Sequence, residues 1–342
     1  MKKIVVSIIL VNWNGRKWLK KCLDSLKSQT FKNFEVVMVD NSSTDDSVDF
    51  VKINYPFVKI FSSENKGFGH ACNLGAKKAR GEFLMFFNED MFVDKIFLEV
   101  FIREYEKIEN KNLVGTIGCS IASYDRTIPE CAKKMYGFGI DLMGAPMLNL
   151  KPDNIFHNTG CPLFISRLLF IKIGGFCENI FIYSEDIDIC WRLNIYGYKH
   201  YFIKSIAIYH FGGGVMGSFS NKKLANYIKG EINALINNYS WPFLIIGFFY
   251  FIVSYLLLFT MYLIAGRPSY SKTIVLTIYH EFGYNLENIL AFRKKVQSNR
   301  KISDWQLLGK IRVFPSRIRN LFESNKPMNI DVLESSDLIR QN

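Results

Sequence analysis

The sequence lacks the cysteine patterns by which disulfide-rich and zinc-binding proteins are recognised. Its seven cysteines are odd in number and include no CxxC pair; they stand at positions 22, 72, 119, 131, 161, 177 and 190. This spacing argues against a structural zinc site and against a disulfide scaffold, and it favours a reducing compartment.

The amino terminus lacks both a complete signal peptide and a glycine-rich phosphate loop. The opening Met-Lys-Lys and the apolar residues 4–11 resemble a signal peptide, but the run is short and no small-x-small cleavage site follows it. The turn at residues 12–15 contains only Gly15, which disfavours a nicotinamide-binding Rossmann domain. A GFGHAC segment at 67–72 resembles the dinucleotide fingerprint, but it follows the third predicted strand and has Cys72 in place of the third small residue. We therefore predict that residues 4–11 form the first buried strand.

Acidic charge is also scarce relative to basic charge. The chain has 43 Lys and Arg against 31 Asp and Glu, a formal net charge of +12, which suits anionic membranes, phosphorylated substrates or nucleic acid. Because no motif interleaves basic and aromatic residues, we predict no nucleic-acid partner. With 342 residues, 49% of them apolar, the chain can bury the core of one large or two modest domains.

Apolar runs alternate with helical patterns along the first part of the chain. Predicted strands occupy residues 4–11, 35–39, 58–61, 83–87, 113–119, 162–166 and 206–209. Predicted helices occupy residues 16–29, about 45–51, 68–79, 95–108 and 185–196. The alternation predicts an α/β fold built from right-handed βαβ units on a mainly parallel sheet flanked by helices.

Two acidic residues end predicted strands, where open α/β sheets bind ligands. Asp40 could accept hydrogen bonds from a nucleoside, or it could form an Asx turn into the next helix. Asp90 follows the apolar run 83–87 and could hold a divalent cation that clamps a diphosphate, because Mg²⁺ prefers one or two carboxylates with phosphate oxygens and water. The alternative is that Asp90 and its neighbour Glu89 only solvate a loop.

Three further polar residues lie later in the chain. Asp186 falls in the first turn of a predicted helix, where the macrodipole favours an ionised carboxylate, either as a general base or as simple helix-end electrostatics. Asp188 is expected to pair with Arg192, four residues on. His210 precedes three glycines and could be a metal or phosphate ligand or a solvated side chain.

An ordered series of motifs makes the chain resemble the family 2 glycosyltransferases, particularly their rhamnosyltransferase-like branch. The motifs lie at residues 6–15, 35–45, 64–69 with Asn73, 87–90, 174–176, 183–192 and 209–210, and together they span roughly residues 4–215. The resemblance implies a GT-A fold that transfers a sugar from a nucleotide-diphosphate donor with inversion.

Carried over by position, the resemblance also implies roles for individual residues. Asp186 matches the catalytic base, and Asp90 and His210 match the metal or diphosphate ligands, with Mg²⁺ or Mn²⁺ as the cofactor. The matching nucleotide-sugar residues are Val11, Asn12, Asn14, Asp40, Asn65, Gly67, Asn73, Asn88 and Glu89. The chain departs from a two-carboxylate DxD motif because Asn88 occupies its first place.

The carboxyl-terminal third has a membrane-like composition. Residues 241–266 are 26 residues without a charge, enough to span a bilayer. Both flanks are basic: residues 267–342 carry 13 Lys and Arg against 7 Asp and Glu, and Lys222, Lys223 and Lys229 precede the segment. Because the positive-inside rule places both flanks in the cytoplasm, a re-entrant or in-plane anchor fits better than a single span.

A second apolar pattern follows the uncharged segment. Its stripe is expected of an interfacial helix and consists of Ile274, Ile278, Phe282, Leu286 and Ile289. The alternative is a water-soluble domain that buries both helices in its own core or in a dimer. We divide the chain into a catalytic domain (1–220), membrane-associated helices (221–292) and a basic tail (293–342).

We therefore predict an inverting, metal-dependent glycosyltransferase at the cytoplasmic face of the cell membrane. It would move a sugar, with rhamnose as one candidate, from a nucleotide-diphosphate sugar to a glycan or lipid-linked acceptor of a surface polysaccharide. The alternatives are a sugar-phosphate nucleotidyltransferase and a catalytically inactive membrane scaffold. The sequence is compatible with a homo-oligomer and does not decide the oligomeric state.

Overall fold

The computed structural model describes residues 4–127, 133–211 and 220–313. The first part of the chain alternates strands and helices as predicted. Its elements are β1 (Val6–Asn12), α1 (Arg16–Lys27), β2 (Phe34–Asp40), α2 (Ser47–Asn54), β3 (Val58–Ser62), α3 (Phe68–Lys78), β4 (Phe83–Asn88), β5 (Met91–Val93), α4 (Phe97–Glu106) and β6 (Val114–Ser123).

The second part contains shorter strands and the carboxyl-terminal helices. Its elements are β7 (Phe138–Asp141), β8 (Pro146–Leu148), β9 (Leu163–Ser166), α5 (Arg167–Lys172), α6 (Glu185–Ile195), β10 (Lys199–His210), α7 (Asn221–Asn238), α8 (Trp241–Ile264), α9 (Pro268–His280), α10 (Leu286–Gln297), α11 (Asp304–Leu307) and β11 (Ile311–Arg312). A π-helical turn, Glu281–Asn285, joins α9 to α10.

The main sheet has eight strands in the order β3-β2-β1-β4-β9-β6-β10-β5. Strands β1 to β4 run parallel, β9 runs antiparallel to β4, and β5 runs antiparallel to β10. The predicted mainly parallel α/β sheet is thus confirmed. Because β2, β1 and β4 are parallel neighbours, their carboxyl ends share one edge, where ligands of open α/β sheets bind.

The core explains why the apolar runs form strands rather than surface segments. All seven residues of β1 are buried, as are five of the six residues of β4, because helices cover both faces of the sheet. Helix α1 contributes one apolar stripe to this core, and its members are Trp18, Leu19, Cys22, Leu23 and Leu26.

Several elements were not predicted, because their sequences carry little periodicity. Strands β7 and β8 are four and three residues long and pair with the distant two-residue β11 in a separate three-stranded sheet. Strand β10 begins at Lys199, well before the predicted residue 206, and its register against β6 shifts between Ile203 and Ala207. Lys204 and Ser205 are exposed at this shift, so the apolar pattern is interrupted there.

Four of the five residues of the stripe predicted for an interfacial helix face the protein instead, and the fifth, Phe282, is 38% exposed. Ile274 and Ile289 are buried, and Ile278 and Leu286 pack against the core. An i, i+4 apolar pattern is equally suited to packing against other helices, and here α9 and α10 pack on α7. The outer face of α9 instead carries other apolar side chains, including Val275, Leu276 and Tyr279.

Candidate active site

Strand pairing brings His210 beside Asp90, although 120 residues separate them in sequence. Strand β5 follows Asp90 and pairs antiparallel with the end of β10, so that Met91 lies opposite His210. Nε2 of His210 is 3.0 Å from Oδ1 of Asp90, and the N–H of Phe211 donates to the carbonyl of Asp90 at 3.2 Å. The two predicted metal ligands therefore lie together.

A cavity of about 230 Å³ opens at this edge of the sheet. Seven of the predicted site residues line it: Val11, Asn65, Gly67, Asn88, Glu89, Asp90 and His210. The sequence patterns missed its other lining residues, which are Trp13, Asn41, Phe68, Phe181, Ile182, Tyr183 and Lys222.

Gly67 explains how two distant loops approach each other at the cavity. Its φ is 105°, and a Cβ there would lie 2.3 Å from the carbonyl oxygen of Phe181. Only glycine accommodates both conditions. The N–H of Phe68 donates to the same carbonyl at 2.8 Å, which fixes the 181–183 segment against α3.

Three predicted nucleotide-binding residues, Asn12, Asn14 and Asp40, do not line the cavity. Nδ2 of Asn12 donates to Asp40 (2.8 Å) and Ser43 (3.0 Å), and the hydroxyl of Ser43 donates to Asp40 at 2.6 Å. Oδ1 of Asn14 accepts from the N–H of Thr44 at 2.7 Å. These contacts tie the turn after β1 to the loop after β2. Asp40 thus has the Asx-turn contacts that the sequence allowed as its alternative, and direct nucleotide binding by all three stays a prediction.

Asn73 also lies outside the cavity lining. Its Oδ1 accepts from the N–H of Phe176 (2.9 Å), and its Nδ2 donates to the carbonyl of Phe176 (3.0 Å) and to Glu178 (2.9 Å). The contacts join α3 to the Gly174-Gly175-Phe176 segment. Asn73 therefore positions this segment, and a direct contact with the donor stays a prediction.

Asp186 is held in a defined orientation by backbone donors. The N–H of Gly160 donates to its Oδ2 at 2.9 Å, and the N–H of Ile187 donates to its Oδ1 at 2.8 Å. The preceding Tyr183 and Ser184 both have left-handed φ values, 70° and 64°. Such strain costs of order 1–3 kcal/mol per residue and persists where the surroundings enforce it.

Helix α7 enforces this conformation. A Cβ on Gly230 would lie 2.5 Å from the carbonyl of Tyr183, so α7 approaches the strained turn closely. The ring of Tyr183 stacks on that of Tyr227, with centroids 4.2 Å apart.

The predicted pair of Asp188 and Arg192 is present and fully buried. Nε of Arg192 lies 2.8 Å from Oδ2 of Asp188, and neither side chain is exposed. Oδ1 of Asp188 accepts from Asn237 (3.2 Å) and Asn238 (3.0 Å) at the end of α7. Helix α6, which carries Asp186, is thus attached to residues beyond the predicted domain boundary at 220.

Two buried carboxyl groups beside the site have raised pKa values. Burial, with a smaller effect of Asp90, raises the pKa of Glu89 to about 8. Burial and the adjacent Asp186 also raise the pKa of Glu185. In the sequence, Glu185 is marked by its place beside Asp186 at the start of the predicted helix and within the 183–192 motif.

The described residues contain no group of three His, Cys, Asp or Glu side chains placed to hold a metal ion. Asp90 and His210 supply two ligands 3.0 Å apart. The Asp90 carboxylate suits a hard divalent cation that keeps its remaining positions for water and substrate phosphate oxygens, whereas the His210 imidazole is a ligand that softer divalent metals prefer.

Comparison with known families gives a match over the first half of the chain. Residues 7–174 match the family model described as Glycosyl transferase family 2. An uncharacterized glycosyltransferase of Rickettsia typhi is 28% identical over 192 residues, 55% of this chain and 58% of the relative. A dolichyl N-acetyl-alpha-D-glucosaminyl phosphate 3-beta-D-2,3-diacetamido-2,3-dideoxy-beta-D-glucuronosyltransferase of Methanococcus voltae is 26% identical, over 57% of this chain and 63% of the relative. The chain thus spans less than two thirds of either relative.

The alignment with a third relative covers almost the whole of that relative. Rhamnosyltransferase WbbL of Escherichia coli K12 is 22% identical, over 68% of this chain and 92% of the relative.

Two solved structures share the fold. GalNAc-T7 with UDP, GalNAc and Mn²⁺ superposes with a TM-score of 0.57 at 16% identity, over 72% of this chain and 50% of that chain. S. aureus TarS 1-349 in complex with UDP gives a TM-score of 0.50 at 18% identity, over 83% and 73% of the two chains. The predicted GT-A fold is thereby confirmed.

Proposed function

Because residues 7–174 form a glycosyl transferase family 2 domain, we propose that this chain transfers a sugar, with inversion, from a nucleotide-diphosphate sugar to a glycan or lipid-linked acceptor of a surface polysaccharide. The observation that carries the proposal is the cavity at the carboxyl ends of the strands, which brings Asn65, Asp90 and His210 together. The two solved structures named above contain UDP, which supports a nucleotide-sugar donor, and GalNAc-T7 also contains Mn²⁺, which supports a metal. The relative named as a rhamnosyltransferase supports rhamnose as one candidate sugar.

The residues around the cavity suit a diphosphate donor. Asp90 and His210 would hold a divalent cation, and that cation would offset the charge on the departing diphosphate. Lys222 lines the same cavity and would place an ammonium group near the phosphates. Asn65 and Gly67 would border the sugar or the nucleoside.

Asp186 would take the proton from the acceptor hydroxyl. Two backbone N–H groups orient its carboxylate, and a general base needs such a fixed position toward the hydroxyl that it deprotonates. The proton then leaves the attacking oxygen as that oxygen bonds to the anomeric carbon, while the diphosphate leaves from the opposite face. A single displacement of this kind inverts the configuration.

The test is Asp186→Asn. We expect transfer to fall by about 10²–10⁴-fold, with nucleotide affinity nearly unchanged, because general-base removal costs that much. Asp153→Asn, on an exposed turn, is the matched control and should keep wild-type transfer. If Asp186→Asn retained half of the wild-type turnover, Asp186 would not be the base.

The two alternatives predict different results. The family match disfavours a sugar-phosphate nucleotidyltransferase. An inactive scaffold predicts no hydrolysis of any nucleotide sugar by the wild-type protein. Donor hydrolysis that requires Asp186 therefore separates the enzyme from the scaffold.

We further propose that α8 and α9 hold the protein in the plane of the inner leaflet. Within the described residues, α8 has the length and composition of a membrane-crossing helix, criteria that a buried core helix also meets. One face of α8 packs on the protein through Phe243, Phe251 and Tyr262, whereas its opposite face exposes apolar side chains such as Ile245 (71% exposed) and Phe249 (63%).

Charged groups beside α8 favour an in-plane arrangement over a span. The hydroxyl of Tyr255, in the middle part of α8, donates to Glu231 at 2.7 Å. Lys229 lies 3.5 Å from the buried Glu281. Because ionisable groups are costly at the bilayer centre, these groups argue against α8 crossing it.

Cysteine labelling of intact cells tests this arrangement. A Lys301→Cys variant should stay unlabelled by an impermeant reagent, as should a Lys27→Cys control in α1, while the protein fractionates with membranes. Cysteines 22, 72, 119, 161, 177 and 190 are buried, and Cys131 is replaced by serine in both variants. Labelling at position 301 alone would establish a true span.

A further inference from the structure

A groove of about 910 Å³ runs along α1, outside the cavity described above. We call it the α1–β5 groove, because α1 forms one side and β5 with the following residues forms the other. Its charged lining consists of Lys17, Lys20, Lys21, Lys95 and Arg126 with Asp24 and Asp94, five cations against two anions.

Among the described residues, three of these cations have no carboxylate partner. The two carboxylates are already engaged, Asp24 by Lys20 at 2.7 Å and Asp94 by Arg126 at 3.3 Å. Within the part of the chain that the structure describes, no salt bridge joins Lys17, Lys21 or Lys95 to an acidic side chain. The groove therefore presents an excess of unneutralised positive charge.

Aromatic rings fix the position of this charge. Nζ of Lys21 lies 3.7 Å from the ring centroids of both Phe92 and Tyr124, and Nζ of Lys17 lies 4.5 Å from that of Trp18. Burial and the neighbouring Arg126 lower the pKa of Lys21, as expected where cations are held together without an anion. Ring faces beside ordered cations can contact a sugar and its acidic substituent together.

One end of the groove lies beside the residues of the candidate active site. The ring of Trp18 lies 4.2 Å from that of Phe211, centroid to centroid. Phe211 follows His210, and its N–H donates to the carbonyl of Asp90. Lys17, which lines the groove, has its Nζ 5.9 Å from the ring centroid of the same Phe211, so this end of the groove lies near Asp90 and His210.

We propose that the α1–β5 groove binds an anionic saccharide chain, whose carboxylate or phosphate groups contact Lys17, Lys21 and Lys95. The inference rests on the proposed function, because it names the class of glycan that the enzyme would handle. A bilayer is a poorer occupant, since the exposed apolar side chains that it needs cluster on α8 and α9. Nucleic acid, which also carries dense negative charge, is a competing occupant and is measured below.

Binding of a short oligogalacturonate to the full-length wild-type protein tests the inference. We expect saturable binding that weakens as salt rises, and little binding of a neutral maltooligosaccharide of equal length. The Lys21→Glu/Lys95→Glu variant should bind the oligogalacturonate about tenfold more weakly or worse, because two attractive contacts become repulsive. The control is Lys52→Glu/Lys77→Glu, which makes the same charge change on α2 and α3, outside the groove.

The alternative partners are measured with the same variants. A single-stranded oligonucleotide and anionic phospholipid vesicles should bind more weakly than the oligogalacturonate and should distinguish the two variants little. Stronger binding of either competitor through Lys21 and Lys95 would overturn the inference, as would equal binding of the neutral saccharide or an unaffected groove variant.

Donor hydrolysis separates this inference from the proposed function. The groove variant should hydrolyse the nucleotide sugar at the wild-type rate, because neither lysine lines the cavity around Asp90. If the wild-type protein hydrolyses the donor but the oligogalacturonate does not bind, the groove assignment alone is wrong. If no donor is hydrolysed, the enzymatic proposal is wrong, whatever the groove binds.

Discussion

Removing the carboxylate of Asp188 should destabilise the protein far more than removing a surface carboxylate. Asp188 is fully buried, pairs with the fully buried Arg192 at 2.8 Å, and accepts hydrogen bonds from Asn237 and Asn238. In Asp188→Ala the guanidinium stays buried without its counter-charge, and two amide donors lose their acceptor. Breaking a buried pair in this way costs about 3–5 kcal/mol, so we expect a fall of that size in the free energy of unfolding.

Urea titration followed by tryptophan fluorescence measures this change, because the buried Trp191 lies on the same helix. Asp49→Ala is the control: its partner Lys52 is 3.5 Å away, and the two side chains are 77% and 60% exposed, so it should lose about 0–1 kcal/mol. Asp188→Asn keeps the side-chain volume and should still lose more than the control. If Asp188→Ala and Asp49→Ala lost equal stability, the buried network would not hold α6 in place.

Two further predictions concern the cavity. In calorimetric titrations, Asp90→Ala should weaken nucleotide binding in the presence of Mg²⁺ or Mn²⁺ and leave the affinity without metal little changed. Equal affinities of variant and wild type in the presence of metal would exclude Asp90 as a metal ligand in donor binding. The pKa of Glu89 is raised from an ordinary 4.5 to about 8 in the folded state, so between these pH values the folded state binds a proton that the unfolded state has lost. The contribution of this proton to the free energy of unfolding is fully present below pH 4.5 and is lost as the pH rises through about 8. Glu89→Gln should therefore lose less stability than the wild type between those pH values in metal-free urea titrations, and parallel curves would contradict the raised pKa.

The strands that end at the site were predictable because burial on both faces leaves an unbroken apolar run, as in residues 83–87. Asp90 could be placed at the site by its position after such a run. The partnership of Asp90 with His210 depends on the antiparallel pairing of β5, a three-residue strand too short to show periodicity. Only the resemblance to family 2 glycosyltransferases, and not the apolar pattern, indicated that Asp90 and His210 act together.

The aromatic and cationic groove could not be predicted, since Lys21 and Tyr124 meet only through the tertiary fold. The inward orientation of Ile274 and Ile289 was also beyond the sequence, because an apolar stripe does not say whether lipid or another helix covers it. The division of the chain at residue 220 stays a prediction, although contacts between α6 and α7 cross it.

Under the proposed function, these contacts would also set the order in which the nascent chain acquires activity. The ribosome releases the sheet and α6 before α7, so Asp188 and Arg192 emerge without Asn237 and Asn238. The last carbonyls of α7 in turn accept hydrogen bonds from Arg293 and Arg300, which are synthesised later still. We therefore expect the turn before Asp186 to be fully fixed only after the apolar helices between these residues have been made. If Asp186 is the base and the protein is bound to the membrane, as proposed, an unfinished chain would lack a positioned base until the helices that reach the bilayer exist.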